Sequence, residues 1–174
     1  RSSAASDVYK RQDIQWLVLK HPPQKFETYN DEIEYLISHD QRNKFITNLA
    51  LDLKGNTLIL YSRVQAHGSV LYSMINTNKS DKRKVFFVHG GVDAEEREQI
   101  REITEREVNA IIVASYGTFS TGINIKNLHN IVFASPSKSR IRNLQSIGRV
   151  LRKGTNKAKA CLLYTSDAAD DLIG

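Results

Sequence analysis

Thr57–Tyr61, with the sequence TLILY, is a run of strand-forming residues without the polar alternation of a half-exposed strand. Such runs are typical of parallel sheets whose two faces are both covered. Similar runs follow at residues 85–88 (VFFV), 110–114 (AIIVA) and 130–133 (NIVF). Stretches with helical spacing separate them, and strands that alternate with helices indicate an α/β fold. We therefore predict a parallel sheet with helices on both faces.

The segments between these strands show helix signals of two kinds. Residues 32–38, 43–53 and 65–75 have apolar positions at helical spacing, and in the second of these the predicted core face is Phe45, Ile46, Leu49, Ala50 and Leu53. Asp93 and Glu96 form a capping-box pattern that predicts a helix to about residue 107. A further helix is predicted at residues 137–153, and further strands are predicted at residues 14–19 and 158–163.

The chain has 174 residues, of which 40% are hydrophobic and 25% charged, so one domain with a real core is expected. We assign that domain to residues 13–163. Residues 1–12 and 164–174 do not follow the pattern beside them and are expected to be non-native tails. On this interpretation the chain is a fragment of a longer protein.

Charge is distributed unevenly along the chain. The net charge is +6, yet residues 108–166 contain no Asp or Glu. That segment carries nine basic residues: Lys126, Lys138, Arg140, Arg142, Arg149, Arg152, Lys153, Lys157 and Lys159. A basic segment without acids indicates a polyanion partner, either nucleic acid or nucleotide phosphate, although a basic surface kept for solubility is the alternative.

Cys161 is the only cysteine, so neither an intrachain disulfide nor a cysteine-based metal site is expected. No apolar run approaches the ~20 residues that a membrane span requires. We therefore expect a cytoplasmic protein without a membrane partner.

Residues 145–152, QSIGRVLR, form the most informative motif. On a helix, Gln145, Arg149 and Arg152 share one face, because they are four and three residues apart. The opposite face carries Ile141, Leu144, Ile147 and Leu151 at core spacing. Two guanidinium groups held by packing suit a phosphate that gains charge during transfer. A solvated basic helix face that binds nothing in particular is the alternative.

The order of the motifs is more specific than any one of them. TLILYSR followed by a helix resembles motif IV of superfamily 2 helicases, and HGG with a capped helix and Arg97 resembles the next block. AIIVAS-YGTFSTGINI resembles motif V, and QSIGRVLR resembles motif VI. Residues 43–160 are thus similar to the C-terminal RecA-like domain of these enzymes. The segments ISHDQRNKFITNLAL and QSIGRVLRKG look particularly like UvsW-type bacteriophage DNA helicases. For a phage-encoded protein, the compartment would be the host cytoplasm.

The resemblance implies an ATP-driven motor on single-stranded or branched DNA. Arg149 and Arg152 would be arginine fingers, and Gln145, Gly122 and Asn124 would lie at ATP. The family usually has Asp at the position of Asn124, whose amide oxygen can still accept from a ribose hydroxyl. Nucleic-acid contacts are expected from residues at strand ends and before motif VI: Ser62, Arg63, His89, Gly90, Ser115, Thr118, Ser120, Thr121, Lys138, Arg140 and Arg142.

Half of the implied active site has no counterpart in the sequence. No G-x-x-x-x-G-K-[ST] motif and no acidic box of the D-E-x-H kind occurs. ATP and Mg²⁺ would therefore be held mainly by a missing N-terminal RecA-like domain, and the isolated chain is expected to be inactive.

Three functional hypotheses follow. The chain is the motor half-domain of an ATP-dependent DNA helicase or translocase, a non-catalytic nucleic-acid-binding RecA-like domain, or an unrelated nucleotide-binding domain in which QSIGRVLR is coincidental. The third requires four motifs in order by chance, and the second predicts loss of the fingers, yet both arginines are present.

Overall fold

A computed structural model describes residues 14–21, 25–118, 125, 127–135 and 159–167, with backbone alone at 14–21 and 159–167. The strands are β1 (Ile14–His21), β2 (Thr57–Tyr61), β3 (Val85–Val88), β4 (Ile111–Ser115), β5 (Asn130–Phe133) and β6 (Lys159–Asp167). The helices are α1 (Tyr29–Ser38), α2 (Asp40–Asp52), α3 (Ser69–Asn78) and α4 (Ala94–Arg106). A π-helical turn, Val64–Gly68, precedes α3.

The described strands form one sheet in the order β1-β6-β5-β2-β4-β3. Every pairing is parallel, as the uninterrupted apolar runs predicted. The central strand β2 pairs with β4 on one side and β5 on the other, and all of its residues are buried. Because the strands are parallel, all their carboxyl ends meet at one edge, where sites form in open α/β sheets.

The two faces of β2 lead into two apolar cores, which confirms the prediction of helices on both faces. Leu58 and Leu60 pack in one core with Ile100 of α4. Ile59 and Tyr61 pack in the other, which α2 and α3 cover with Ile46, Ala50, Leu71 and Ile75. The alternation of side chains along a strand produces this division.

Local signals define several helix starts. Asp93 caps α4 as predicted, with its side chain accepting a hydrogen bond of 2.7 Å from the amide of Glu96. Thr28 caps α1 in the same way through Asp31. His39 ends α1 and also caps α2, because its Nδ1 accepts from the amide of Arg42 at 3.3 Å.

The buried face of α2 differs from the predicted one. The helix starts at Asp40, and Phe45 is exposed rather than in the core, whereas Leu49 and Leu53 are partly buried. Arg42, Asn43 and Thr47 are buried beside Ile46 and Ala50. The helix therefore turns a partly polar face inward, and hydrophobic spacing alone does not predict such a face.

The segment after β2 is a single helix with an irregular start. The predicted helix at residues 65–75 begins as the π-helical turn and continues to Asn78. Gly68 lies in this turn directly over Tyr61, so that a Cβ atom at Gly68 would be 2.5 Å from the ring carbons Cε1 and Cζ. The absence of a side chain lets the helix approach the central strand.

Strands β1 and β6 pair with each other, residue for residue, from Ile14 with Ala160 to His21 with Asp167. Strand β6 thus continues four residues beyond the predicted domain end at residue 163. The domain bounds of 13–163 and the non-native origin of the tails stay predictions, since pairing does not identify where a segment comes from.

Polar side chains tie the amino edge of the sheet together. Asn56 donates to the carbonyl oxygens of Glu107 and Asn127, each at 2.8 Å, and accepts from the amide of Ala110. Buried Arg83 donates to the carbonyls of Asn109, Leu51 and Leu53. These bonds satisfy the backbone at the edge opposite the predicted site.

Candidate nucleic-acid interface

The structure brings predicted contact residues from three strands to one edge. Tyr61 is in register with Ser115, and Val88 with Ala114, so Ser62, His89 and Ser115 lie at the same end of neighbouring strands. Arg63, Gly90 and Thr118 follow them. Backbone phosphates are recognised by such hydroxyl, imidazole and guanidinium groups.

Ser62 is joined to the end of β5. Its side chain is exposed, while its amide donates to Oγ of Ser135 at 2.9 Å. The amides of Ala134 and Ser135 in turn donate to the carbonyl of Leu60. Ser62 therefore presents a hydroxyl from a turn whose backbone is fixed.

Arg63 is held by helix α1. Its Nη2 donates to Oδ1 of Asn30, and its Nη1 lies 3.5 Å from Oε1 of Glu34. Its side chain is 36% exposed and therefore partly open to a ligand. Because Glu34 is anionic, it competes with phosphate for this charge.

His89 has a defined tautomer when neutral. Its Nδ1 accepts from the amide of Gly91 at 3.0 Å, so the proton lies on Nε2. Its ring packs 5.2 Å from the ring of Phe87, which in turn stacks on Tyr72. The half-buried imidazole therefore offers an oriented N–H donor at the edge. Gly90 beside it is exposed, with no described atom near the position of a Cβ.

Ser115, the last residue of β4, pairs with Thr118 in the helical turn at residues 116–118 that follows it. Their hydroxyl oxygens are 2.6 Å apart, and Ser115 Oγ also accepts from the amide of Thr118. Thr118 is buried and Ser115 is half-buried, so Ser115 is the more accessible hydroxyl.

A buried polar cluster lies beneath this edge, and the sequence analysis did not identify it. It contains Arg42 and Asn43 of α2, His67 of the π-helical turn, Tyr116 and Ser135. Burial, followed by the neighbouring charge of Arg42, lowers the pKa of His67 to about 3. Burial also lowers the pKa of Arg42 to about 10 and raises that of Tyr116. His67 is therefore neutral at physiological pH.

The other predicted site residues lie outside the described residues. They are Ser120, Thr121, Gly122, Asn124, Lys138, Arg140, Arg142, Gln145, Arg149 and Arg152. Their roles stay predictions.

Two kinds of feature are absent from the described part of the chain. It contains no helix long and apolar enough to cross a membrane. Among these same residues, no group of three or more His, Cys, Asp or Glu side chains could hold a metal ion.

Comparisons with known proteins agree with this architecture. Residues 40–154 match the family model of the helicase conserved C-terminal domain. The chain is 39% identical over 164 residues to the ATP-dependent DNA helicase uvsW of Enterobacteria phage T4, covering 90% of this chain and 32% of that protein. It thus spans about a third of the length of this relative.

Solved structures show the same fold. The crystal structure of T4 UvsW matches with a TM-score of 0.75 and 38% identity, over 90% of this chain and 33% of that one. A DEAD box protein from Methanococcus jannaschii matches with a TM-score of 0.61 and 15% identity, over 91% and 37% of the two chains, which shows the fold alone.

The motif order predicted this assignment, and the matches over most of the chain confirm it. The chain belongs to the helicase conserved C-terminal domain family, as a superfamily 2 RecA-like domain homologous to the UvsW helicase of phage T4.

Proposed function

We propose that the chain is the second motor domain of an ATP-dependent DNA helicase or translocase that remodels branched DNA. The main support is the convergence of Ser62, Arg63, His89 and Ser115 at one sheet edge. These groups suit a sugar–phosphate backbone and do not read bases, as a motor that moves along any sequence requires. The homologous phage protein is an ATP-dependent DNA helicase.

Gly90 and the predicted residues Ser120, Thr121, Lys138, Arg140 and Arg142 complete the proposed DNA surface, and the buried Thr118 supports it through its bond with Ser115. The last three belong to the acid-free basic segment, whose long-range field attracts a polyanion. Branched substrates are proposed from the resemblance to UvsW-type helicases.

Arg149 and Arg152 are the proposed arginine fingers, with Gln145, Gly122 and Asn124 at the nucleotide. ATP and Mg²⁺ would be held mainly by the missing first domain, and ATP supplies the phosphoryl group that is transferred. The planar, permanently charged guanidinium groups would stabilise the negative charge that develops on this group. The two arginines would reach ATP only when the two motor domains close. We therefore expect DNA binding and ATP turnover to depend on different residues.

The test uses the full-length protein and compares two pairs of arginines. Arg149→Ala and Arg152→Ala should each lower ATP turnover at saturating DNA by about 10³-fold or more, with nearly normal DNA affinity. Lysine at either position should restore little, because it lacks the planar fork. Arg140→Ala and Arg142→Ala are matched controls that should weaken DNA binding first.

Near-normal turnover of Arg149→Ala at saturating DNA would show that the finger assignment is wrong. A full-length protein that binds DNA but never hydrolyses ATP would instead favour the non-catalytic RecA-like domain.

A further inference from the structure

A continuous chain of hydrogen bonds runs beneath the proposed DNA surface. The amide of Ser62 donates to Oγ of Ser135 at 2.9 Å, and this Oγ lies 2.7 Å from Nδ1 of His67. Nε2 of His67 lies 3.1 Å from Oδ1 of Asn43, whose Nδ2 donates to the carbonyl of Ile37 at 2.8 Å. The side chains of Ser135, His67 and Asn43 are all buried. We call this chain, from Ser62 to Ile37, the Ser135 relay.

The two ends of the relay determine the direction of every bond. The amide of Ser62 can only donate, and the carbonyl of Ile37 can only accept. Asn43 therefore turns Oδ1 toward His67, which must donate from Nε2. Neutral His67 then accepts at Nδ1 from the hydroxyl of Ser135. Each group has one arrangement, so the relay is a fixed structural link.

The relay joins parts of the chain that are far apart in sequence. Ser62 and Ser135 are separated by 73 residues, and His67 and Ser135 by 68. The carbonyl of Ser135 also accepts from the hydroxyl of Tyr116 at 3.3 Å. Ser135 thus binds the turns after β2 and β4, which carry proposed DNA contacts, and it is followed in sequence by the segment with Arg149 and Arg152.

We propose that Ser135 is a positioning residue that couples DNA contact at the turns after β2 and β4 to ATP turnover. The inference rests on the proposed function and extends it to residues that touch neither ligand. DNA bound at Ser62 and Arg63 would hold the turn after β2, and the relay would transmit this restraint to the end of β5, where the finger-bearing segment starts.

Removing the hydroxyl of Ser135 breaks the relay at its centre. In Ser135→Ala, the part-buried amide of Ser62 and the buried Nδ1 of His67 both lose their partner, which favours a shift of the β5 end away from β2. The DNA-facing side chains themselves are unchanged. Coupling should therefore weaken more than DNA affinity.

The experiment measures ATP turnover of the full-length protein against DNA concentration, with DNA affinity measured separately without ATP. For Ser135→Ala, the maximal DNA-stimulated turnover should fall about tenfold, whereas DNA affinity stays close to that of wild type. His67→Gln should act in the same direction. Thr104→Val is the matched control, since Thr104 is equally buried and its hydroxyl donates only to the carbonyl of Ile100 at 2.7 Å.

If Ser135 has only a structural role, Ser135→Ala and Thr104→Val should both lower the unfolding midpoint, and both variants should keep the maximal DNA-stimulated ATP turnover of the wild type. That result would overturn the coupling proposal while the proposed function stands. If turnover of the wild-type protein does not respond to DNA at all, the proposed function fails and this inference fails with it.

Discussion

Substitution of Gly68 by Ala should destabilise the domain, although alanine is normally the better helix residue. The new Cβ would be 2.5 Å from two ring carbons of Tyr61, well inside van der Waals contact. Burial and two contacts hold the ring in place. Tyr61 is fully buried, its hydroxyl donates to the carbonyl of Val88 at 2.9 Å, and its ring packs 5.9 Å from that of Phe87.

Three terms determine the magnitude for Gly68→Ala. Overpacking of a filled core costs about 1–3 kcal/mol. Strain on the buried hydrogen bond of Tyr61 adds about 1 kcal/mol. Replacing a helical glycine with alanine recovers about 1 kcal/mol. The free energy of unfolding should therefore fall by about 1–3 kcal/mol.

Urea denaturation of the chain measures this change, with Gly90→Ala as the control. Gly90 is exposed, does not have a positive φ, and has no described atom within 4 Å of a Cβ position, so its substitution should be nearly neutral. In a Tyr61→Leu background, Gly68→Ala should cost much less, since the clashing ring is gone. Equal midpoints for Gly68→Ala and Gly90→Ala would refute the reasoning.

Three further results are expected. The logarithm of the DNA affinity of the isolated chain should decrease linearly with the logarithm of salt concentration, as the nine basic residues of the acid-free segment require; affinity independent of salt would contradict this. Glu34→Gln should strengthen DNA binding about twofold to fivefold, because it releases Arg63 from its ion pair. The control Glu107→Gln breaks an ion pair with Lys84 at the opposite end of the strands and should leave DNA binding unchanged. Equal effects of the two substitutions would exclude competition at Arg63. Because the folded pKa of His67 is about 3, the unfolded chain takes up a proton that the native chain excludes, so this residue should lower stability by about 1.4 kcal/mol per pH unit as the pH falls from about 6.5 to about 3. Denaturation of His67→Gln should lack this contribution, and identical pH profiles would count against it.

Much of the architecture could be predicted because its causes are local. The run at Thr57–Tyr61 is apolar on both faces, as is typical of a parallel sheet whose two faces are covered. The cap at Asp93 involves residues three positions apart. The order of the motifs then predicted the family and the sheet edge at which Ser62, His89 and Ser115 lie.

The polar interior could not be predicted in this way. The predicted core face of α2 omitted Arg42 and Asn43, which are buried, and included Phe45, which is exposed. Only the tertiary structure shows what a helix packs against. His67 was predicted only as part of a helix, and the register of the π-helical turn directs its side chain inward.

The sequence by itself determined the strands, the order of the motifs and the residue types available for phosphate contact, since each depends on neighbours along the chain. The tertiary structure decided which of these residues share bonds. His67 and Ser135 meet although they are 68 positions apart in sequence, and Arg63 in the turn after β2 meets Glu34 of α1. Such pairings depend on where parallel strands and their crossovers return the chain, and no local periodicity specifies that distance.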